Sequence, residues 1–182
     1  MRSRAAYKLQ ELQRAHGVLR RGQRVVDLGC WPGGWLQVAA REVGPEGRVV
    51  GIDLAEISPP LGLANVLALQ GDLSDPSALA RVREALGAER ADVLLSDAAP
   101  KLTGVRATDR AREEALLESV EALIPELLRP GGALVLKLLE GPEALAIERR
   151  IRSCFEGAKA TRPDASRKGT TERYLVATGY RG

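Results

Sequence analysis

From residue 24 onward, short apolar runs alternate with stretches whose apolar positions recur at helical spacing. RVVDLG (24–29), RVVGIDL (48–54), VLALQGD (66–72), ADVLLSDAAP (91–100) and ALVLKLL (133–139) are rich in valine, isoleucine and leucine, close on glycine, aspartate or proline in most cases, and read as strands. Between them, WLQVAAREV (35–43), a segment opening after Asp75 with Pro76 at its first position, and a long stretch from about Asp109 to Arg129 read as helices. The long stretch is expected to stop before Pro130 and two glycines. A helix from about Pro142 to Phe155 precedes two further strands, near 157–162 and at 173–180. At the start of the chain, Ser3 is a candidate N-cap for a helix carrying Ala5, Leu9 and Leu12, with Gly17 as its stop.

The early strands are almost continuously apolar, which implies a parallel sheet covered on both faces. The last two strands have no obvious helix between them, so an antiparallel hairpin is expected at that edge. This is an open α/β arrangement. A single domain over 1–182 is expected, with 1–23 as a basic helical segment packed on it; a chain of this length buries about two-thirds of its unfolded surface.

Hydrophobic residues make up 45% and charged residues 28%, a balance that excludes disorder. No apolar run approaches the ~18 residues of a membrane span, and MRSRAAYKLQEL breaks its apolar positions with charge too early for a secretory signal. A cytoplasmic location is expected. Cys30 and Cys154 are the only cysteines and His16 the only histidine, which removes Ser-His-Asp chemistry and most metal sites. The net charge of +3 hides an asymmetry: residues 1–24 carry seven Lys/Arg against one acid, residues 149–182 nine against three, and 25–148 eleven against twenty. If the two basic ends meet, they form a phosphate-attracting surface of the kind a nucleic acid needs.

In parallel sheets ligands bind beyond the carboxyl ends of the strands. Several unusual residues fall there: Gly29, Gly33 and Gly34 after the first strand, Asp53 at the tip of the second, Asp72 after the third, Asp97 at the end of the fourth and Lys137 near the end of the fifth. The glycine spacing is not GxGxxG, which favours an adenosine ligand other than a dinucleotide. Asp53 is placed to meet a ribose and Asp72 an adenine edge, though strand-end aspartates also cap helices. Trp35 either backs the cofactor or belongs to the core. Lys137 interrupts an otherwise apolar strand, where an ammonium must give up water. Only five lysines occur, and lysine, unlike arginine, can act as a neutral amine. Neighbouring strands lie ~4.8 Å apart, so Asp97 can face Lys137 across adjacent strand ends.

SRAAYKLQEL, DLGCWPGGW, SDAAPKLTG, and VLKLLEG with the later SRKGTTERYLV resemble the FtsJ/RrmJ family of ribosomal RNA ribose 2′-O-methyltransferases over nearly the whole chain. By resemblance, the family's Lys-Asp-Lys-Glu tetrad falls on Lys8, Asp97, Lys137 and Glu172. The resemblance implies a Rossmann-like S-adenosylmethionine-dependent methyltransferase fold with a mostly parallel, seven-stranded sheet. It also implies S-adenosylmethionine as cofactor, with Gly29, Gly33, Trp35, Asp53, Asp72 and Asp97 as the candidates to hold it. The implied substrate is the 2′-hydroxyl of a uridine in 23S ribosomal RNA within the large (50S) subunit; no metal or membrane partner and a monomeric state are expected. Lys137 is then the general base or oxyanion stabiliser, Asp97 orients it, and Lys8 and Glu172 complete the pocket, while Arg2, Arg4, Arg167, Lys168 and Arg173 are candidates for phosphate contacts. Ala98, Lys101, Cys30 and Trp31 depart from the family pattern, and the usual basic extension before the first helix is almost absent. Alternatives are transfer RNA or cap ribose as substrate, a non-catalytic RNA-binding ribosome-assembly factor, and an NAD-dependent oxidoreductase, which the glycine spacing disfavours.

Overall fold

In the computed structural model, which describes residues 1–166 and 172–182, the alternating pattern becomes one sheet with helices on both sides. Its strands are β1 (Arg24–Leu28), β2 (Arg48–Asp53), β3 (Val66–Gln70), β4 (Ala91–Ser96), β5 (Leu128–Leu138), β6 (Phe155–Thr161) and β7 (Arg173–Tyr180), in the order β3-β2-β1-β4-β5-β7-β6. The first five are parallel, and β7 is antiparallel to both β5 and β6. The expected edge hairpin is therefore present, with its second strand inserted between the first and the rest of the sheet. The helices are α1 (Ala5–His16), α2 (Gly34–Val43), α3 (Pro76–Leu86), α4 (Arg106–Leu127) and α5 (Pro142–Ser153).

The apolar runs are continuous because successive strand residues point to opposite faces and both faces are covered. Val26, Leu94 and Leu134 pack with Val82, Leu117, Ile124 and Ile147 from α3, α4 and α5. Their strand neighbours Val25, Leu95 and Val135 pack on the other face with Leu9, Leu12, Leu36 and Val38 from α1 and α2. The basic segment 1–23 is thus held to the sheet through the apolar side of α1. No helix among the described residues is long and apolar enough to cross a membrane.

Local signals decide the element ends, and some differ from expectation. Asp75 caps α3 by accepting a hydrogen bond from the Ser77 backbone N–H at 2.9 Å, with Pro76 at the first position; such a cap contributes about 1 kcal/mol. Gly17 ends α1 in the left-handed conformation, φ 59°. Ser3 does not cap α1: Arg4 holds the cap position without a side-chain bond, and the Ser3 hydroxyl is buried against Gly34, where a β-carbon would sit 2.2 Å from it. Asp109 does not open α4, which begins three residues earlier. Its carboxylate instead receives the Thr103 and Gly104 N–H groups and so ties down the loop before the helix. Nor does α4 run to Arg129. It ends at Leu127, because Leu128 already pairs with Ala91 in the sheet, and Pro130, Gly131 and Gly132 form an irregularity inside β5 before Ala133 pairs with Val93.

Candidate active site

The β4–β5 register pairs Ser96 with Leu136, so Asp97 and Lys137 emerge side by side at the carboxyl edge of the sheet. The Lys137 Nζ donates to the Asp97 backbone carbonyl at 3.0 Å and lies 3.3 Å from Asp97 Oδ1. Both side chains are shielded, 11% and 16% exposed respectively. The ammonium that looked costly in an apolar strand thus has a carboxylate and a carbonyl as partners.

A third residue joins them that sequence reasoning missed. Tyr174 is paired with Lys137 across β5 and β7, is fully buried, and donates its hydroxyl to Asp97 Oδ1 at 2.6 Å. Burial, followed by the negative charge of Asp97, raises the phenol well above its ordinary pKa, so it remains a donor at neutral pH. A signal for it existed: a tyrosine in a buried strand needs a partner for its hydroxyl. What the sequence lacks is the knowledge that β7 lies against β5.

The Lys8 Nζ, from α1, meets Glu172 Oε2 at 2.5 Å, joining residues 164 positions apart. It also lies 6.0 Å from the centre of the Tyr174 ring, and that ring packs 5.8 Å from Trp35. Tyr174 therefore bridges the two ion pairs. A second link between the chain ends, from the Ala165 N–H to Glu11 Oε1 at 3.0 Å, brings the basic segments together on one side. The candidate phosphate contacts divide. Arg2 is engaged in structure, its guanidinium donating to the Pro60 carbonyl at 3.0 Å; Arg173 lies 3.6 Å from Glu148; Arg4 is exposed. Arg167 and Lys168 fall outside the described residues.

On the α2 side of Asp97 is a small cavity of about 30 Å³ lined by Ser3, Asp27, Gly29, Trp31, Trp35 and Asp97, among others. Asp27 is 1% exposed, and neither of its carboxylate oxygens has a partner among the described residues; the Ser3 hydroxyl is likewise unpartnered. Burial first, then the charges of Asp97 and Asp53, hold the Asp27 carboxyl well above the usual carboxylate range. An unpaired buried acid is costly, so this cavity suits a cationic or hydrogen-bond-donating group. Asp27 was also absent from the sequence candidates, although it interrupts an apolar strand just as Lys137 does.

The other candidates occupy varied settings. Gly29 combines a φ of 78° with a position where a β-carbon would fall 2.5 Å from that of Ala98, so its missing side chain admits the loop after β4. Gly33 precedes α2 with φ 108°, and Leu61 covers it. Asp53 accepts from the Trp31 N–H at 3.0 Å and the Ala55 N–H at 2.8 Å, keeping lone pairs free on both oxygens. Asp72 accepts from the backbone N–H and hydroxyl of Ser74, which hold its carboxyl below the usual range, and it does not line the small cavity. Trp35 does line it, but the indole is 3% exposed and donates to the Ala5 carbonyl at 2.8 Å, fastening α1 to α2. On the opposite side, Lys137 and Glu172 line a larger cavity of about 510 Å³. The Lys137–Asp97 pair accordingly stands between two spaces, one bordered by each partner. Among the described residues, no three His, Cys, Asp or Glu side chains converge as a metal cage would require.

The chain is similar to known proteins over nearly its whole length. Residues 1–180 match the family model described as FtsJ-like methyltransferase. A protein from Syntrophobacter fumaroxidans named Ribosomal RNA large subunit methyltransferase E is 44% identical over 183 residues, covering 98% of this chain and 89% of its own length. A protein of the same name from Halorubrum lacusprofundi is 43% identical over 178 residues, and the match spans 98% of this chain but 66% of that relative. Among solved structures, a Plasmodium falciparum protein described as a ribosomal RNA methyltransferase superposes with a TM-score of 0.85 at 28% identity, covering all of both chains. Sequence and fold agree along essentially the full length: the chain belongs to the FtsJ-like methyltransferase family.

Proposed function

We propose that this protein is an S-adenosylmethionine-dependent RNA methyltransferase that methylates a ribose 2′-hydroxyl, that of a uridine in the 23S RNA of the large ribosomal subunit, acting as a cytoplasmic monomer. The observation that carries the reading is the shielded Lys137–Asp97 pair, with the amine 3.3 Å from the carboxylate and a separate space beside each partner. The names of the curated relatives point to the large-subunit RNA as substrate.

The residues present fit the cofactor. Asp27, with two unpartnered buried oxygens, and Asp97 border the small cavity, where they favour a positively charged ligand; Asp53 retains acceptor capacity for ribose hydroxyls. When bound, S-adenosylmethionine supplies an electrophilic methyl group on a sulfonium. Held there, it would supply the methyl group to the ribose 2′-oxygen, and the acceptor hydroxyl would have to give up its proton.

Lys137 is the group positioned to hold or take that proton. A ribose hydroxyl entering from the larger cavity meets the Lys137 amine, which stabilises the developing oxyanion by hydrogen bonding or accepts the proton. Asp97 fixes the amine through its carbonyl and carboxylate, and Tyr174 fixes the carboxylate. Lys8 and Glu172, paired with each other, close the same side of the pocket. Alignment of the reactants is worth about 7–11 kcal/mol by analogy with intramolecular reactions, and removal of a positioned proton acceptor costs about 10²–10⁴ in rate. Positioning is therefore the larger share.

The deciding experiment incubates the protein with labelled methyl donor and, separately, assembled large subunits, naked 23S RNA and transfer RNA, followed by mapping of the modified ribose. Label on a 2′-oxygen of the large-subunit RNA is expected. Label confined to transfer RNA, or found on a base, would overturn the proposal.

A further inference from the structure

The larger cavity contains more than methyl transfer requires. Lys137 and Glu172 form one wall; the opposite wall is the start of α4 and the loop before it, including Leu102, Arg106 and Arg110. At about 510 Å³ it falls within the range of pockets that enclose a small ligand. The loop is braced rather than loose. Asp109 accepts from the Thr103 N–H at 2.6 Å, the Thr103 hydroxyl at 2.8 Å and the Gly104 N–H at 3.0 Å.

Arg106 and Arg110 are four residues apart on α4, hence on the same helical face. Both are exposed, and neither guanidinium has an ion-pair or hydrogen-bond partner among the described residues. Their neighbour Arg112, by contrast, donates to the Lys101 carbonyl at 2.9 Å. Apolar surface lies beside the two free guanidiniums: Leu102 is 66% exposed, and Pro100, Leu138 and Leu139 line the same space. The less exposed carboxylates of Glu113 and Glu172 are in that lining too, and they repel a phosphate from the interior.

The geometry points to this cavity as the seat of a single unstacked acceptor nucleotide. Its base lies against Pro100, Leu102 and Leu139, and its adjoining phosphodiester bridges Arg106 and Arg110. The uncharged base can pass Glu113 and Glu172, whereas the phosphate is held at the arginines, so the ribose between them is presented to Lys137. Extraction of one nucleotide from its stack is the usual route by which single-stranded RNA is read and by which enzymes reach a buried target. This assignment rests on the ribose-methylating reading above.

The test compares the full chain with an R106Q/R110Q variant and an R106K/R110K variant, using initial rates on substrate RNA across a salt series and calorimetric binding of S-adenosylmethionine. For the glutamine pair, KM for RNA is expected to rise about tenfold at physiological salt, and the slope of log(kcat/KM) against log salt to flatten by about one to two. Its kcat and its affinity for S-adenosylmethionine should stay within twofold, the latter also reporting an intact fold, and the lysine pair should recover the salt slope. Unchanged KM and salt slope in the glutamine pair, or a loss confined to kcat, would overturn the assignment while leaving ribose methylation standing. A wild-type protein that methylates no ribose removes both.

Discussion

Strands β4 and β5 carry an acid–base pair at each end, and the two pairs differ in their settings. At the amino end, Asp92 meets the Arg129 guanidinium at 2.5 Å, with the side chains 24% and 47% exposed. At the carboxyl end, Asp97 meets the Lys137 amine at 3.3 Å, with both side chains mostly shielded. The first pair uses a base that cannot lose its proton and whose side chain is nearly half exposed. The second uses a base that can, is braced by a buried tyrosine and stands between a space of about 510 Å³ beside Lys137 and one of about 30 Å³ beside Asp97. Charge pairing across adjacent strands is therefore not a mark of chemistry. What distinguishes the carboxyl-end pair is a shielded lysine, a second anchor on its carboxylate and room beside it.

The strongest way to break this comparison is to remove the lysine. Lys137→Met keeps the apolar stem and deletes the amine; kcat is expected to fall by about 10³-fold, with S-adenosylmethionine binding retained. Lys137→Arg should be equally impaired, because a guanidinium is bulkier and does not yield its proton. Single-turnover methylation with calorimetry distinguishes loss of chemistry from loss of binding. Full activity in either variant would mean that Lys137 is only a structural charge, like Arg129.

Next in size is the brace. Tyr174→Phe preserves the ring against Trp35 and Lys8 but takes the hydroxyl from Asp97. Stability should drop by about 1–3 kcal/mol, the range for stripping a buried acceptor of its donor, and kcat by roughly tenfold as the Asp97 carboxylate loses its fixed orientation. Denaturant unfolding gives the first number and single-turnover rates the second. If stability falls while kcat is untouched, the tyrosine supports the fold but not the alignment of Lys137.

Asp27 sharpens the contrast from another side, as an acid at the same edge whose oxygens have no partner among the described residues. Its carboxyl is held above its ordinary value near 4, so the folded state favours the protonated form. The stabilising effect of that preference is complete below the unfolded pKa and is lost as pH rises through the folded one. Asp27→Asn mimics the neutral acid at every pH. The melting temperature of the variant minus that of the wild type should therefore increase as pH rises above about 4 and level off once the folded carboxyl has ionised; a flat difference would show that Asp27 is not proton-linked to folding.

These residues also mark where the sequence is readable. The strands could be placed because Val25/Val26 and Leu94/Leu95 feed two covered faces, and Asp97 with Lys137 could be paired because both end neighbouring parallel strands. Tyr174 could not, since its role depends on β7 entering the sheet between β5 and β6, a long-range choice with no local trace. Ser3 looked like a cap by residue type, yet the close approach allowed by Gly34 draws its hydroxyl inward. The Pro130-Gly131-Gly132 stretch looked like a gap between elements, whereas pairing of Leu128 with Ala91 carries the strand through it. Asp27 was open to the same reasoning that singled out Lys137, a charge inside an apolar run, but in RVVDLG it stands two residues before the glycine that closes the strand, where a polar residue also reads as the strand's ordinary end.

The smallest effect belongs to the amino-end pair, and it tests the comparison most directly. Asp92→Asn removes the charge that faces Arg129 but leaves a side-chain oxygen for the Arg24 backbone N–H, which Asp92 Oδ2 accepts at 2.7 Å. An ion pair with one partner nearly half exposed contributes about 0–1 kcal/mol, because water already solvates both charges and salt screens them. The variant should unfold within about 1 kcal/mol of the wild type at low salt, the gap should shrink at high salt, and methylation should continue at the wild-type rate. Since β4 and β5 run from this pair directly to Asp97 and Lys137, a substantial fall in kcat here would mean that the two ends are mechanically coupled through the strands. Unaltered catalysis would mean that only burial, the tyrosine brace and the adjoining cavities separate a reacting pair from a decorative one.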